Sequence, residues 1–280
     1  MNKGKNTVQA AQLPVNKLRP FEGHPFLVKD DAEMEQLVWS ILTQGLLTPN
    51  TDRPIENNEY EVISGQRRLH ACKKAGIETV PALIYALNRD EATIAMVDSN
   101  LHREKILPSE KAFAYKLKMD AIRHQGTSGQ LGQKWTREEI SDSDSGRQVQ
   151  RYIRLTELIP EILRMVDDGK IALTPAVELS YLTKLEQQDL LETMESEDCT
   201  PSISQAIQMK RLSQAGELDI DSIFDILRQP KANQIDKISF RTEDLRKFFP
   251  KGYTAAQMAN DILKGLELLK RQRNRSRDAR

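Results

Sequence analysis

One stretch decides the fold of the first third of the chain: Val62-Ile63-Ser64-Gly65-Gln66-Arg67-Arg68-Leu69-His70-Ala71. Its apolar start predicts the end of a β-strand, Ser64 and Gly65 predict a tight turn, and the remainder predicts a helix that opens on two arginines. The first turn of a helix has unpaired N–H groups and partial positive charge, and glycine lets the main chain approach a ligand. Guanidinium groups add forked donors that suit phosphate. The stretch therefore predicts an anion-binding turn, although a surface helix with two solvated arginines fits the same spacing.

A second segment, Val97–Glu104, follows about one βα unit later, and a Pro-Ser-Glu helix start follows at Pro108. Together, the GxRRxxA turn of residues 65–71, the NxxR segment of residues 100–103 and this helix start resemble the ParB family of DNA-partition proteins. The resemblance covers about the first two thirds of the chain. It implies that the first two segments form a CTP pocket and that a helix-turn-helix domain follows them.

The resemblance assigns nucleotide-binding roles to eight residues, namely Gly45, Thr48, Gly65, Gln66, Arg67, Arg68, Asn100 and Arg103. It implies that the segment from Gly45 to Pro49 touches the base and sugar, and that the turn with its arginines holds the triphosphate. Asn100 would offer an oxygen to Mg²⁺, which prefers hard oxygen ligands. Arg103, one helical turn further on, can return to the phosphates. The implied cofactor is therefore CTP with Mg²⁺.

Two positions depart from the family pattern in a way that bears on hydrolysis. Family members commonly have glutamate where this chain has Gln66 and Ser99, and both acids are associated with metal handling and hydrolysis. Glutamine cannot act as a base, and serine without an activating neighbour is a poor substitute. We therefore expect CTP binding with weak or absent hydrolysis. The same α/β unit resembles sulfiredoxin, but Gln66 stands where that enzyme has its catalytic cysteine, which argues against peroxide-repair chemistry.

The composition favours a helix-rich protein of more than one domain. The chain has 280 residues, 39% of them hydrophobic and only 5% aromatic, which suits helices packed on aliphatic side chains. Because 41 basic residues balance 41 acidic residues, a nucleic-acid surface requires local segregation of charge. Cys72 and Cys199 are too far apart to suggest a disulfide scaffold or a zinc site, and Cys72 is expected in the core. No apolar run approaches the ~18 residues that span a bilayer, so no membrane partner is expected and the predicted location is cytoplasmic, associated with the nucleoid or a plasmid.

We predict an α+β protein of three parts. Residues 1–105 form a small mixed-sheet ParB/sulfiredoxin-like domain, residues 106–215 form a mainly α-helical domain with a helix-turn-helix, and residues 216–280 form a C-terminal region of linker, helices and basic tail. In the first part, Asp30 is predicted to cap a helix that Gly45 ends.

A helix-turn-helix is predicted from a capping box at Thr136–Glu139, a turn at Ser141–Ser145 and a second helix at Gly146–Leu158. Arginine and glutamine side chains line the outer side of that helix, and the predicted DNA-binding residues are Arg147, Gln148, Gln150, Arg151 and Arg154. Arg147, Gln148 and Arg151 are favoured as base readers. Arg154 is expected to meet phosphate or an internal acid. A solvated charged face is the alternative interpretation of this stripe.

The C-terminal part contains a well-patterned helix at Thr254–Lys270. Its apolar side is formed by Met258, Ile262, Leu266 and Leu269. That side suits either a dimer contact or docking on Phe248 and Phe249, and the resemblance favours a homodimer because ParB-like proteins usually dimerise through this region. The basic segment Lys270–Arg280 predicts a disordered tail that contacts DNA phosphates nonspecifically, or one that only increases solubility.

The resulting hypothesis is a dimeric, sequence-specific DNA-binding protein that acts in plasmid or mobile-element partition. By resemblance, it binds a palindromic site on double-stranded DNA, closes around the duplex as a CTP-dependent clamp, and has a ParA-type ATPase as partner. One alternative is a helix-turn-helix transcriptional repressor without nucleotide switching. Another is a nuclease or kinase on the same α/β fold, against which Gln66 and Ser99 count because no acids cluster near the turn.

Overall fold

The computed structural model describes residues 8–103, 105–128, 144–229, 242–250 and 252–278. The chain divides into two compact units, residues 1–229 and residues 230–280. The predicted helix at residues 136–140, most of the turn that follows it, and the last two residues of the predicted basic tail lie outside the described residues.

Five β-strands form one mixed sheet in the first unit, in the order β1-β5-β3-β4-β2. The strands are β1 Val8–Pro14, β2 Leu18–Pro20, β3 Asn50–Ile55, β4 Glu59–Ser64 and β5 Thr79–Tyr85. The pairs β3–β5 and β2–β4 are parallel, and the pairs β1–β5 and β3–β4 are antiparallel. Strand β2 was not predicted, because three residues that end in proline are too short to show an alternating pattern.

Three helices accompany the sheet: α1 Ala32–Gln44, α2 Gln66–Lys74 and α3 Arg89–Leu101. The predicted cap of α1 is wrong by one residue, since the Asp31 carboxylate accepts the Met34 N–H at 2.9 Å. Asp30 instead accepts from His70 at 2.9 Å and from Lys74 at 2.8 Å, both on α2. The sequence offers two adjacent aspartates as caps, and the contact with α2 decides which one is used.

Apolar residues on both faces of the sheet are buried. Val62 packs with Met34, Leu69 and Cys72 on the side of α1 and α2, and Ile63 packs with Met96 on the side of α3. Successive strand residues point to opposite faces, so a continuous apolar run is what a strand covered on both sides requires. Cys72 is fully buried, which confirms its prediction as a core thiol.

Seven further helices are described in the first unit. They are α4 Pro108–Ser128, α5 Gly146–Arg154, α6 Pro160–Asp167, α7 Leu173–Leu179, α8 Lys184–Ser196, α9 Ile203–Ala215 and α10 Ile220–Arg228. Their shared core includes Leu155, Ile162 and Leu190, all fully buried. Helix α4 contacts both α3 and α5, so it joins the sheet to the helical core.

Helix α5 is shorter than predicted. It ends as an α-helix at Arg154, and residues 155–157 form a 3₁₀ turn before Leu158 becomes extended. Leu155 and Leu158 are both buried in the helical core, and Pro160 begins α6. Because both leucines pack into this core, the chain turns at residues 155–157, before the apolar pattern that predicted the helix ends at Leu158.

The second unit contains two described helices, α11 Thr242–Arg246 and α12 Ala255–Asp278. The prediction of a helix at Thr254–Lys270 is confirmed. The helix continues for a further two turns, to Asp278, so the prediction of a disordered tail is wrong for residues 271–278. None of the described helices is long and apolar enough to cross a membrane. The α+β fold class is confirmed, while the predicted boundaries at residues 105 and 215 remain predictions.

The start of α4 is tied to the end of α6 by one carboxylate. Asp167 accepts the Ser109 N–H at 2.9 Å and the Ser109 hydroxyl at 2.5 Å. We predict that Asp167→Ala lowers the free energy of unfolding by about 1 kcal/mol, as expected for loss of a helix N-terminal cap. Urea unfolding measures the effect. The exposed neighbour Asp168 provides the control, and equal losses for Asp167→Ala and Asp168→Ala would contradict the assignment.

Candidate functional site

The turn between β4 and α2 has room for glycine alone. Gly65 has φ +115°, a conformation that L side chains rarely adopt, and it is the N-cap residue of α2. A Cβ atom at this position would lie 2.2 Å from Asn50 Oδ1 and 2.9 Å from Arg68 Nη2. The main chain of the turn is therefore in direct contact with one side chain from β3 and one from α2.

Arg68 lies over this turn. Its Nη1 donates to the Thr48 carbonyl at 3.2 Å, which connects α2 to the loop that follows α1. Burial lowers the pKa of Arg68, and the Asp52 carboxyl acts in the opposite direction. Two of the predicted nucleotide-binding residues, Thr48 and Arg68, are thus brought together with Gly65. Gly45, a third, ends α1 with φ +73°.

Arg67 faces acidic residues at the start of α1. Its Nη2 is 3.6 Å from Asp31 Oδ1 and 3.5 Å from Glu33 Oε2. Both carboxylates are substantially exposed, so these ion pairs are screened by water and hold the guanidinium weakly. Arg67 can therefore exchange these partners for a more strongly charged anion.

Arg103 belongs to the same positive region. Its guanidinium lies 5.5 Å from the centroid of the Phe26 ring. Burial lowers the pKa of Arg103, the Glu110 carboxylate raises it, and the positive charge of Arg67 lowers it further. The two predicted phosphate ligands are therefore close enough for their like charges to repel each other.

The predicted metal ligand, Asn100, is 4% exposed at the end of α3. Its Nδ2 donates to the Met96 carbonyl at 2.7 Å and to Ser99 Oγ at 3.3 Å, which leaves Oδ1 as the atom suited to a cation. The described residues contain no group of three His, Cys, Asp or Glu side chains that could hold a metal. A single amide oxygen fits Mg²⁺ when water and phosphate supply the other ligands.

Gln66 contributes to the turn through its main chain. Its side chain is 7% exposed, and Nε2 donates to the Val62 carbonyl at 2.8 Å. The side chain therefore folds back on β4, away from the start of α2. Its position in the first turn of α2 leaves the main-chain N–H as the group available to an anion.

Helix α5 presents its predicted DNA-binding residues in two sets. Ser145 Oγ accepts the Gln148 N–H at 3.3 Å at the start of the helix, and Val149 is fully buried. Arg147 is exposed. Arg151 donates to Gln148 Oε1 at 3.2 Å and to Thr174 Oγ1 at 2.6 Å. Arg147 is thus the exposed residue of this set, while Gln148 and Arg151 are half-buried.

The other two predicted residues on α5 make contacts inside the protein. Arg154 donates through Nε to Ser180 Oγ at 3.0 Å and through Nη2 to the Ser180 carbonyl, and it lies 4.1 Å from the centroid of the Tyr181 ring. Gln150 Nε2 lies 3.9 Å from Met119 Sδ on α4. The expectation that Arg154 meets an internal group fits this geometry, although its partner is a serine and not an acid.

Comparison with known proteins bears on the first part of the chain. Residues 1–101 match the family model of the ParB N-terminal domain. The chain contains a ParB N-terminal domain. It is also 41% identical over 106 residues to the nucleoid occlusion protein of Bacillus thuringiensis (strain Al Hakam). That match covers 38% of this chain and 36% of the relative, so the chain spans little more than a third of the length of the curated relative.

Two solved structures are similar to the chain. One is the C-terminally truncated ParB of Caulobacter crescentus complexed to the centromeric parS site, with 20% identity and a TM-score of 0.45, covering 78% of this chain and 98% of that one. The other is the same truncated protein complexed with CTP-gamma-S, with 24% identity and a TM-score of 0.32, covering 61% of this chain and 92% of that one.

Two buried polar residues on β3 were missed in the sequence, and one of them, Asn50, contacts the turn. Asn50 and Asp52 are fully buried on β3, and their side-chain nitrogen and oxygen atoms have no hydrogen-bond partner among the described residues. Burial raises the pKa of Asp52 to about 7, and Arg68 lowers it. The strand reads Asn-Thr-Asp-Arg-Pro-Ile, so no alternation of apolar and polar residues marks these two as buried.

The contact between Gly65 and Asn50 can be tested by substitution. We predict that Gly65→Ala lowers the free energy of unfolding by about 1–3 kcal/mol for the positive φ, with an added cost for the collision. Gly76→Ala is the matched control, since Gly76 has φ +68° and open space around its Cβ position. Because Asn50→Ala removes the collision, adding it to Gly65→Ala should recover part of the loss. Equal losses for Gly65→Ala and Gly76→Ala in urea unfolding would contradict the prediction.

Proposed function

We propose that this protein is a sequence-specific, ParB-type DNA-binding partition protein that takes CTP with Mg²⁺ at the Gly65 turn. The observation that carries the proposal is a group of three arginines, Arg67 and Arg68 in the first turn of α2 and Arg103 after the end of α3. Arg68 lies over Gly65, and Arg103 is close enough to Arg67 for the charge of Arg67 to lower its pKa. Like charges held close together are stabilised by a multivalent anion.

The first turn of α2 supplies the rest of what a triphosphate requires. Its main-chain N–H groups and partial positive charge favour an anion, and Gly65 allows close approach. Thr48 accepts from Arg68 beside this turn, and Gly45 ends the helix that precedes Thr48; both would contact the base and sugar. Asn100 would hold Mg²⁺ through Oδ1, and the ion would neutralise phosphate charge when bound.

We propose that hydrolysis of CTP is weak or absent. The side-chain amide of Gln66 is engaged with the Val62 carbonyl, and the Ser99 hydroxyl donates to the Met96 carbonyl at 2.9 Å. Neither group has an acidic or basic partner that would let it activate water. The residues at this turn are therefore suited to binding and release of a nucleotide.

Recognition of double-stranded DNA is assigned to the start of α5. Arg147, Gln148 and Arg151 lie on its accessible side, and arginine and glutamine make bidentate contacts with guanine and adenine in the major groove. Arg154, held by Ser180, would support the helix or reach a phosphate. Gln150 is turned toward Met119 and is the weakest of the five candidates.

A palindromic site and a homodimer belong to the same proposal, because a two-fold protein reads a two-fold operator. Helix α12 carries the exposed leucines Leu263, Leu266 and Leu269. Their exposed apolar surface is what a contact between two copies would bury. By the family resemblance, closure of the N-terminal domains with CTP makes the dimer a clamp on DNA, and a ParA-type ATPase is its partner in plasmid or mobile-element partition.

One observation favours a second candidate, a helix-turn-helix repressor without a nucleotide switch. Asn100 and Gln66 both use their amide nitrogens to satisfy main-chain carbonyls of their own domain. Such inward contacts would also exist in a domain that has kept the fold and lost the ligand. The two candidates differ in whether the Gly65 turn binds CTP.

Isothermal titration with CTP and Mg²⁺ tests the proposal. We predict binding by the full chain and a loss of at least about tenfold in affinity for Arg68→Ala, because a charge-assisted phosphate contact contributes roughly 1.5–3 kcal/mol. Arg67→Ala should lose less, since its acidic neighbours already compensate part of its charge. Arg19→Ala, on an edge strand beside Glu59, should bind as the wild type does. An absence of heat with the wild-type chain would leave the repressor as the better function.

DNA selection with sequencing tests the assignment of α5. We predict that Arg147→Ala costs about 1–3 kcal/mol of discrimination at one base position of the selected site. Arg164→Ala, an exposed arginine on α6 paired with Glu161, is the control and should leave the selected sequence unchanged. A uniform loss of binding with the same sequence preference would show that Arg147 contacts phosphate.

A further inference from the structure

Strand β3 carries a buried acid, Asp52, two residues after the Asn50 that contacts the Gly65 turn, and the assigned nucleotide residues do not include it. We propose that binding of a polyphosphate at the turn is coupled to uptake of one proton by the Asp52 carboxyl. The inference rests on the proposed function, because it concerns the same anion site.

The first observation is that the Asp52 carboxyl is buried and, within the described part of the chain, accepts no hydrogen bond that would compensate its charge. Asn50 and Asp52 are two residues apart on β3, so their side chains lie on the same face of the sheet. Both are 0% exposed, and both carboxylate oxygens of Asp52 lack a hydrogen-bond partner among the described residues. An ionised carboxylate without partners is strongly disfavoured in such a place, so protonation competes with ionisation near neutral pH.

The second observation is that Arg68 belongs to the helix that covers Asp52. Asp52 pairs with Val62, which packs with Leu69 and Cys72, so its side chain lies on the face of the sheet that α2 covers. Arg68 Nη2 lies 2.9 Å from where a Cβ at Gly65 would be, and the charge of Arg68 acts on the Asp52 carboxyl. The same positive charge thus compensates Asp52 in part and would bind phosphate at the turn. Asn50, which contacts the turn, supplies a neutral polar neighbour.

Among the described residues, Arg68 is the charged side chain that acts on the Asp52 carboxyl. The strand partners of Asp52 are Val62 on β4 and Ile84 on β5. Arg53 pairs with Glu61 at 2.6 Å on the opposite face of the sheet. Cys72 lies next to Arg68 on α2, and burial raises the pKa of its thiol, which therefore stays neutral near pH 7.

The direction of the coupling follows from these charges. A polyphosphate at the turn repels the Asp52 carboxylate and takes the compensating charge of Arg68, so it raises the pKa of Asp52 from its value of about 7 in the free protein. One proton then moves from solvent to a carboxylate oxygen, and no other bond changes. Since binding takes up a proton, affinity falls as pH rises through this value.

Calorimetry with the full chain measures the proton directly. CTP with Mg²⁺ is titrated at pH 7 and pH 8 in two buffers of different ionisation enthalpy, and the buffer dependence gives the protons taken up. We expect the wild type to take up about half a proton more than Asp52→Asn at pH 7, and close to one more at pH 8, because the free carboxyl is progressively more ionised. Subtracting the Asp52→Asn value removes the nucleotide's own protons.

Asp30→Asn is the matched control. It also removes one carboxylate beside α2, but Asp30 is exposed and contacts His70 and Lys74. This variant should take up as many protons as the wild type. Equal uptake by the wild type and Asp52→Asn would overturn the inference while leaving CTP binding intact.

Inorganic tripolyphosphate separates this inference from the identity of the nucleotide. If tripolyphosphate binds with Asp52-dependent uptake and CTP does not bind, the coupling stands and the choice of CTP fails. If neither binds, both proposals are overturned. Should Asp52→Asn not fold, the ¹³C carboxyl resonance of Asp52 in the wild type is titrated instead, with and without tripolyphosphate. An unchanged pKa would then refute the coupling.

Discussion

The contact between the Asn50 side chain and the main chain of Gly65 fixes the candidate site. It sets the distance between β3 and the start of α2, and only a residue without Cβ permits it. Because α2 begins at this contact, the direction of its N–H groups and the place of Arg68 both follow from it. The sheet and the helices on its two faces hold the strand ends in register, so a small steric constraint is supported by the whole domain core.

In the same sheet, one buried carboxylate has compensating partners and another has none among the described residues. Glu61, the other buried acid of the sheet, is fully compensated, since it accepts from Arg53, Arg89 and the Glu22 N–H. Asp52 has no such partners. The difference between these two carboxylates distinguishes a structural ion cluster from a site whose charges are left for a ligand. Arg103 and Arg67, which repel each other, show the same imbalance with the opposite sign.

Much of the fold could be predicted because local signals and packing agree. The strand that ends at Ser64 and the helix that follows Gly65 lie where the sequence pattern places them, and Gly45 ends α1 as expected. Three features could not be predicted. The choice of Asp31 over Asp30 depends on α2, strand β2 exists only through its pairing with β4, and the burial of Asn50 and Asp52 depends on what covers β3. In each case the deciding contact joins residues that are far apart in the sequence, so neither the local pattern nor the composition predicts it.

The same reasoning separates the arginines of α5. Spacing alone places Arg147, Arg151 and Arg154 in one stripe, but each meets a different environment in the folded chain. Arg154 is fixed by Ser180 and stacked on Tyr181, whose ring also contacts Lys210. A guanidinium held this way has already lost its rotamer freedom and uses two of its five donors inside the protein. Arg147 is exposed and keeps its rotamer freedom and its donors. The arginine best able to contact a base therefore lies at the start of the helix, the part that would enter the major groove most deeply.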